Sequence, residues 1–503
     1  MRFYITTPIY YVNDRPHIGH VYTTTIADIF ARYHRLCGDE VFFLTGTDEH
    51  AAKVVESAAQ HGVTAQDWAD RNAQAFQETF RKLGITNDDF IRTSQQRHKD
   101  KVLQYVGELL QTGDVYLGEY EGWYDAGQEE YIPENKAKEF DFKSPVNSKP
   151  LVRKKEKNYF FRLSKYADAL LKLLEENPGF LRPDARRNEI KNRIREGLND
   201  VPISRTGAGG WGIQVPGDTE HVIYVWIDAL FNYLSTVDTP ERINYWPATV
   251  HLIAKDILWF HAVIWPALLL ALKRELPRQV YAHSFWIAEG QKMSKSLGNF
   301  VDLEKIDRYV ANYGLDAFRY FLASHGPLGI SDSDFAEARF IEVYNDQLAD
   351  KMGNLVNRSL TMIQRYRGGV VPGSPEGGLR VDAERAMAAF SDAMVQLDLG
   401  GALERVGEFV VRANQYVEES APWKLAKDPA SAGRLDAVLY NLAESVRLIS
   451  VVVNPVMPTI ASQIRAQLNI EGKPGLFTDE ARWGRLAAGT KLGTVAPLFP
   501  KKV

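Results

Sequence analysis

Two short groups of polar residues in the chain could bind a polyphosphate. The first is His17-Ile18-Gly19-His20, which follows a strand-like run and begins a long helical pattern. The first turn of a helix favours an anion, because its backbone N–H groups are unpaired and the helix dipole is positive there. Two imidazoles three residues apart share one helix face and can donate to phosphate oxygens, while Gly19 leaves room for a flat base. A His-x-x-His pair alone is more often structural, but its position at a helix start predicts a phosphate site.

The second group is the run 292–296, Lys-Met-Ser-Lys-Ser, which carries two lysines and two hydroxyl groups. Gly290 and Gly298 flank the run and can act as hinges, so it is typical of a mobile loop that closes over a polyphosphate. Lysines at this spacing are also common on a solvated surface. The occurrence of both groups in one chain is more specific than either group alone.

These two groups need a scaffold that brings them together. Strand-like runs at 3–7 and 41–45 flank a helical pattern at 18–36. This order of elements is typical of a doubly wound parallel sheet, which binds ligands at the carboxyl ends of its strands. We therefore expect an α/β, Rossmann-like parallel sheet, to which further strand-like runs contribute at 90–92, 222–226, 250–253 and 279–283.

The pattern changes twice along the chain. From 113 to 213 tyrosine, glycine and charged residues accumulate in short periodic runs, which predicts an insertion between two halves of the sheet. From 336 to 467 the hydrophobic period is helical apart from a Gly/Pro-rich stretch at 368–378, which predicts a helical bundle. The letters at 207–212 match G-x-G-x-x-G, but no helical pattern follows, so we interpret them as a flexible junction.

Composition bounds the class of protein. The chain has 503 residues, 45% hydrophobic and 25% charged, with a net charge of -4, so a globular protein is expected and any nucleic acid must bind to local basic patches. The single cysteine, Cys37, excludes an intrachain disulfide and favours a reducing, cytoplasmic location. Residues 1–9 show no secretory or transit signal, and the longest apolar run, 262–272, is too short to span a membrane.

The two polar groups, in this order, resemble the signatures of class I aminoacyl-tRNA synthetases. The match to the methionyl-tRNA synthetase family is close and runs along most of the chain. Besides the two groups, the segments that carry the resemblance are 7–13, 46–50, 224–229, 255–257, 260–261, 353–355 with Arg358, and 421–423.

The resemblance implies a two-step ligase reaction. Methionine and ATP would form methionyl-adenylate and pyrophosphate, and methionine would then pass to the 3′ end of tRNA(Met), supplying protein synthesis and its initiation. No side-chain nucleophile is needed, because the substrate carboxylate attacks the α-phosphate. The protein must align the substrates and stabilise charge on the phosphates, with Mg²⁺ assisting.

The resemblance also implies roles for individual residues, with Lys295 contacting the departing pyrophosphate and Asp256 the ribose. The catalytic residues would be His17, His20, Lys292 and Lys295. The ATP-binding residues would be His17, Gly19, His20, Asp256, His283 and Lys295. The methionine-binding residues would be Ile9, Tyr11, Asp48, Trp226, Ala229, Leu230, Tyr233, His261 and Trp265. The anticodon-binding residues would be Asn354, Arg358 and Trp423, and no residue is expected to bind a resident metal.

These assignments have structural alternatives. Asp48 is a candidate partner for the methionine ammonium group, but it could instead cap a helix. The aromatic residues suit a thioether, yet without the resemblance they would be interpreted as core. Trp423 could stack on a base or anchor the start of a helix. The basic stretches at 153–155 and 182–195 could contact RNA backbone or simply be solvated.

The resemblance divides the chain into expected domains. These are a first half of the Rossmann catalytic domain at 1–112, a connective insertion at 113–213, a second catalytic half at 214–285, the lysine loop and stem-contact region at 286–340, and a helical anticodon-binding domain with a C-terminal tail at 341–503. Because 113–213 contains no cysteine, the insertion is expected to lack the zinc knuckle that many relatives carry. A monomer is expected, since family members with a dimerising extension are longer.

Other functions fit the sequence less well. Synthetases for leucine, isoleucine or valine carry an editing domain that does not fit in 113–213, and the cysteine enzyme resembles a thiolate-zinc design that one cysteine cannot supply. An RNA-binding paralogue without activity would be expected to lose motif lysines or histidines, and none is lost. A metal-dependent hydrolase using His17, His20, Asp48 and His50 is a further alternative, which metal analysis would test.

Overall fold

The computed structural model of the chain describes its 503 residues except 14, 126–129, 133, 146, 207–209, 294–297, 374–377 and 503, and the side chains of 120, 130, 131, 135 and 156. In this described part, no helix combines the length and the apolar character needed to cross a membrane.

The strands, in chain order, are β1 (Arg2–Tyr11), β2 (Glu40–Asp48), β3 (Asp89–Arg92), β4 (Val115–Asp125), β5 (Glu130–Ile132), β6 (Val152–Phe161), β7 (Leu181–Arg182), β8 (Val201–Pro202), β9 (Ser204–Thr206), β10 (His221–Ile223), β11 (Val250–Ala254), β12 (Val280–His283), β13 (Trp286–Ile287) and β14 (Ser333–Asp334).

The helices, in chain order, are α1 (Ile18–Leu36), α2 (Ala52–Gln60), α3 (Ala65–Lys82), α4 (Gln96–Gln111), α5 (Glu134–Glu139), α6 (Ala167–Glu176), α7 (Asp184–Arg195), α8 (Val225–Leu230), α9 (Asn232–Ser235), α10 (Trp265–Ala271), α11 (Leu303–Tyr313), α12 (Leu315–His325), α13 (Glu337–Val343), α14 (Asn354–Arg367), α15 (Arg380–Val395), α16 (Leu399–Ser420), α17 (Pro422–Leu425), α18 (Ala432–Val453), α19 (Pro458–Gln467) and α20 (Phe477–Glu480). Two π-helical segments occur at Phe260–Ile264 and Tyr344–Gly353.

A six-stranded sheet forms the centre of the N-terminal part. Its order is β3-β2-β1-β11-β12-β7, and every neighbouring pair is parallel. In the register, Ile5 lies opposite Phe43 on one side and Val250 on the other. The expected Rossmann-like parallel sheet is therefore confirmed. Its last strand, β7, comes from within the range 113–213.

The two faces of this sheet pack against different parts of the chain. Phe3, Ile5 and Phe43 belong to the hydrophobic cluster that includes α1 and the C-terminal helices. Tyr4 and Leu44, which alternate with them, belong to the cluster that includes α4, α8 and α10. This alternation is what a strand with two buried faces requires, and it explains the unbroken apolar runs at 3–5 and 41–44.

One strand expectation is wrong. The run 222–226 is a strand only as part of His221–Ile223, which pairs antiparallel with β9 outside the central sheet, and α8 begins at Val225. Valine, tyrosine and tryptophan favour strands, but here burial of Ile227 and Leu230 along one helical face outweighs that weak preference.

The segment between the two halves of the sheet contains a second sheet. Its order is β5-β4-β6-β8, and all its pairs are antiparallel. Ion pairs cross from β6 to β4, with Arg153 2.9 Å from Glu121 and Lys155 3.1 Å from Glu119. Arg153 and Lys155, which belong to a basic stretch that could contact RNA backbone, are thus paired with glutamates of the same sheet.

The C-terminal part is a helical bundle in which α14 to α18 pack around a common core. The chain after the bundle returns across α18. Glu444, which is fully buried, forms an ion pair with Arg447 and accepts hydrogen bonds from the backbone N–H groups of Gly484 to Leu486. A buried charge with this many partners fixes the path of the tail.

The buried Arg319 on α12 joins the part of the chain around the central sheet to the bundle. Its guanidinium donates to Asp28 on α1 at 2.7 Å and to the carbonyl oxygens of Val456 and Pro455, between α18 and α19, at 2.9 and 3.2 Å. Asp28 also accepts from Arg32 and from Thr86. One guanidinium therefore holds three elements of different parts of the fold.

We expect Arg319→Met to lower the free energy of unfolding by about 3 kcal/mol, because it leaves the buried Asp28 carboxylate and the two carbonyl groups short of a donor. Equilibrium urea denaturation measures this difference. Arg405→Met is the matched control, since Arg405 pairs with Glu408 on the surface and its loss should leave the urea midpoint unchanged. Equal midpoints for both variants would contradict the role given to Arg319.

Candidate active site

A cavity of about 550 Å³ opens at one edge of the central sheet. Tyr11, Asp48, Ala254 and His283 are the last residues of β1, β2, β11 and β12, and all four line it. The cavity therefore lies at the carboxyl ends of the four middle strands, where an open parallel sheet is expected to bind its ligands.

The expected phosphate group forms the start of α1 at the cavity wall. His17 is the N-cap, and its Nδ1 accepts a hydrogen bond from the backbone N–H of Gly19 at 3.1 Å. Nδ1 of His20 accepts from the backbone N–H of His17 at 3.3 Å. Because both Nδ1 atoms accept, the hydrogen of each neutral imidazole is on Nε2. The centroids of the two rings lie 3.9 Å apart.

A third imidazole on the same side of the cavity belongs to His283, at the end of β12. Burial lowers the pKa of His283 to about 4 and that of His20 well below its usual range, so both rings are neutral at pH 7. His283 Nδ1 donates to the Ser284 carbonyl at 2.7 Å, and Nε2 lies 2.7 Å from Oγ1 of Thr23. Both of its nitrogens are hydrogen-bonded within the protein. His283 therefore offers the cavity its ring surface and no donor or acceptor.

The residues that follow the lysine loop adjoin the start of α1. Residues 294–297, and with them Lys295, lie outside the described residues, and Lys292 is exposed and does not line the cavity. Just after the loop, Phe300 lines the cavity with its ring 5.2 Å from that of His17, and the Val301 carbonyl accepts from the N–H of Ile18 at 3.1 Å. The chain that follows the loop is therefore attached to the expected phosphate site.

The opposite half of the cavity is aromatic. Trp226 stacks on Phe260 with ring centroids 3.9 Å apart, and Tyr11 meets Trp226 edge-on at 6.1 Å. Tyr233 and His261 are joined by a 2.7 Å hydrogen bond. Since Nδ1 of His261 lies 3.0 Å from the Ile257 carbonyl and must donate to it, Nε2 accepts from the Tyr233 hydroxyl.

Most of the residues expected to bind methionine meet at this aromatic half. The exception is Trp265, which is fully buried behind Tyr233 and donates to Nε2 of His251 at 3.2 Å. It supports the wall without lining it. The expected residues that do line the cavity are Ile9, Tyr11, Asp48, Trp226, Ala229, Leu230, Tyr233 and His261, together with the ATP-binding candidates His17, Gly19, His20, Asp256 and His283.

Some lining residues were not expected from the sequence. Thr23, Asn232, Phe300 and Trp286 also face the cavity. Thr23 could have been found, because it lies one turn after His20 on the same helix face. Asn232 and Phe300 carry no comparable signal, since neither belongs to a charged or histidine-containing group.

The residues expected to read an anticodon lie at one end of the bundle. Asn354 is exposed at the start of α14, and Arg358 on the same helix pairs with Glu418 at 2.8 Å. Trp423 is half-buried in α17, after Ala421 in a left-handed conformation and Pro422. Its ring therefore has one side against the bundle core and another side accessible.

Among the residues that the structure describes, no group of three or more His, Cys, Asp or Glu side chains is placed to hold a metal ion.

Two family models match nearly the whole chain. Residues 3–140 and 140–360 match the model described as tRNA synthetases class I (M), and residues 367–503 match that of the anticodon binding domain of methionyl tRNA ligase. The chain belongs to the methionyl-tRNA synthetase family. The resemblance carried by the motifs is thereby confirmed.

Individual relatives in the methionyl-tRNA synthetase family agree with this. The chain is 43% identical to the methionine–tRNA ligase of Halalkalibacterium halodurans, over 99% of this chain and 78% of that protein. It is 41% identical to the methionine–tRNA ligase of Streptomyces coelicolor, over 99% of this chain and 96% of that protein. The solved structure of Mycobacterium tuberculosis methionyl-tRNA synthetase in complex with methionyl-adenylate matches with a TM-score of 0.92 at 37% identity, covering 99% of both chains.

The neutral buried histidines predict a loss of stability in mild acid. The pKa of His261 and of His283 is about 4 in the folded protein, against about 6.5 unfolded, so the unfolded chain binds more protons between these values. Stability is therefore complete above pH 6.5 and falls as the pH drops towards 4, by about 2 kcal/mol per histidine at pH 5.

Urea midpoints at pH 5, 6 and 7 measure this decline. His261→Gln should show a shallower decline than the wild type, because one of the protons taken up on unfolding is removed. Identical slopes for the two proteins would show that His261 does not contribute.

Proposed function

We propose that this chain is a methionine–tRNA ligase that forms methionyl-adenylate from methionine and ATP and then transfers methionine to the 3′ end of tRNA(Met). The observation that carries the proposal is the cavity at the four strand ends, because it joins a phosphate-binding helix start to an aromatic pocket. Membership of the family supports the same conclusion.

In the first step, a carboxylate oxygen of methionine attacks the α-phosphorus of ATP, and the bond from that phosphorus to the oxygen bridging to the β-phosphate breaks. We propose that Nε2–H of His17 and of His20 donates to phosphate oxygens, and that Lys292 and Lys295 contribute positive charge when the loop closes. The imidazoles, of which buried His20 is neutral, align the phosphates through directed hydrogen bonds, and the lysines stabilise the charge that develops on pyrophosphate.

Asp256 lines the cavity next to the end of β11 and is proposed to bind the ribose. Gly19 and the ring of His283 are proposed to face the nucleotide, and Thr23 holds that ring in place. Mg²⁺ is proposed as the ion that accompanies ATP, because it is commonly held by substrate phosphate oxygens and water.

In the other half, Asp48 is proposed to bind the ammonium group of methionine. The thioether would lie among Trp226, Tyr233 and His261, since sulfur close to aromatic rings is favourable by about 0.3–1.5 kcal/mol. The remaining candidates for this pocket are Ile9, Tyr11, Ala229 and Leu230, all of which line it, and Trp265, which supports Tyr233.

The bundle is proposed to recognise the anticodon through Asn354, Arg358 and Trp423. Bases that leave the stack of an RNA loop are bound by aromatic rings and by hydrogen bonds to their edges, and Trp423 has an accessible side for such a contact. The division into two catalytic halves, an insertion and an anticodon-binding domain at the bounds given above stays a prediction. The cytoplasmic location and the monomeric state also stay predictions, and sedimentation would check the monomeric state.

Exchange of radiolabelled pyrophosphate into ATP tests the amino acid specificity. We expect exchange with methionine and none comparable with leucine, isoleucine or cysteine, because the pocket is aromatic and suits a thioether side chain. The four amino acids are compared at the same concentration on the same protein. Exchange with leucine but not with methionine would overturn the proposal.

Substitution of the bundle tryptophan separates the two steps. Trp423→Ala should lower the charging of tRNA(Met) about five- to 150-fold, since loss of base stacking costs about 1–3 kcal/mol, and should leave methionine-dependent exchange unchanged. Trp483→Ala is the control, because this tryptophan also packs against the bundle core but belongs to the tail. Unchanged charging by Trp423→Ala would contradict the role in the anticodon site.

A further inference from the structure

A buried polar cluster lies behind the aromatic half of the cavity and does not line it. It consists of Asp228, His50, His98 and Ser235, and is called here the carboxylate cluster. Asp228 Oδ2 lies 2.6 Å from Nδ1 of His50, Asp228 Oδ1 lies 2.8 Å from Nε2 of His98, and Nδ1 of His98 lies 2.8 Å from Oγ of Ser235. The side chains of Asp228, His50 and His98 are 1%, 2% and 0% exposed.

The members of the carboxylate cluster come from elements that build the pocket. Asp228 belongs to α8, which presents Trp226, Ala229 and Leu230 to the cavity. His50 follows the strand end at Asp48 by two residues. His98 lies in the first turn of α4, which contributes no residue to the cavity lining. The Asp228 carboxylate therefore ties both walls of the pocket to a helix outside it.

The negative charge of Asp228 strengthens its hydrogen bonds to His50 and His98. Burial alone would raise the pKa of Asp228, but the two histidines lower it to about 2, so the group is a carboxylate at neutral pH. Hydrogen bonds to an ionised acceptor are roughly twice as strong as neutral ones. Loss of either donor would leave a buried charge without one of its partners.

The segment that carries Asp48 is held on its other side as well. Nε1 of Trp211 donates to the Glu49 carbonyl at 2.6 Å, and its ring meets that of His50 at 5.5 Å. The fully buried Glu49 carboxylate accepts from Arg92 at 2.7 and 3.0 Å. The bond between His50 and Asp228 therefore links α8 to a segment whose other side is already fixed.

We propose that Asp228 is a positioning residue for methionine: through His50 it sets the separation between Asp48, which binds the ammonium group, and the side-chain pocket on α8. The inference rests on the proposed function and adds a residue that touches no substrate. It implies that Asp228 matters for a ligand that uses both halves of the site, and little for a ligand that uses only the apolar half.

Asp228→Asn tests this, because it keeps the shape and removes the charge. An amide can accept from only one of the two imidazoles through its oxygen, while its nitrogen faces the other ring as a donor. In pyrophosphate exchange we expect the KM for methionine to rise about tenfold, with kcat and the KM for ATP unchanged within twofold. Asp238→Asn is the matched control, since Asp238 also accepts from two side chains, Lys101 and Tyr105, but lies away from the cavity.

Equilibrium binding of methionine and of 4-(methylthio)butanoate, which lacks the amino group, separates positioning from general damage to the pocket. Asp228→Asn should weaken the binding of methionine about tenfold and the binding of the desamino compound less than twofold. Equal losses for both ligands would mean that the pocket itself has changed, and no loss for either would mean that Asp228 has no role; each result overturns the inference.

A second pair of variants covers the case in which Asp228→Asn does not fold. In His50→Asn the amide nitrogen takes the place of Nδ1, and the buried Nε2 of His50, for which the described residues offer no partner, is removed. His50→Asn should therefore retain methionine affinity within threefold, whereas His50→Leu should lose about tenfold. Equal affinities in the two variants would contradict the inference. Wild-type protein that does not bind methionine at all would instead refute the proposed function.

Discussion

Parallel strands leave all their carboxyl ends at one edge of a sheet, and every part of this site depends on that constraint. Tyr11, Asp48, Ala254 and His283 are far apart in the chain, and they meet because β1, β2, β11 and β12 are parallel neighbours. The start of α1 lies at the same edge because this helix follows β1 closely in the chain. The insertion and the bundle are attached to this arrangement without interrupting it.

Three long-range connections in the molecule are made by buried charges that have several hydrogen-bond partners each. Asp228 joins the pocket walls to α4, Arg319 joins α1 to the bundle, and Glu444 holds the returning tail. In each case the charge has several hydrogen bonds, as it must have when it is removed from water. Apolar packing fills the space between these points, but it does not by itself specify which elements meet.

Much of the fold was predictable, because local patterns determine it. The helix expected at 18–36 has the observed bounds, and His17, Gly19 and His20 of the motif at its start line the cavity. Family motifs led to Asp48, Trp226 and His261. The partners of Asp228 and Arg319 were not predictable, since His50 and Asp228 are separated by 178 residues and no periodicity relates them. A charge within an apolar run, such as Arg319, indicates only that some partner exists.

The burial of Arg319 has a consequence for how the protein responds to salt. Contacts between surface cations and RNA phosphates weaken steeply as salt is added, because counterions compete for them. The pair between Arg319 and Asp28 is 2% and 0% exposed and is reached by few mobile ions. A salt concentration that releases a bound polyanion therefore leaves the junction between sheet and bundle in place, and the free protein keeps the geometry in which the next polyanion is received.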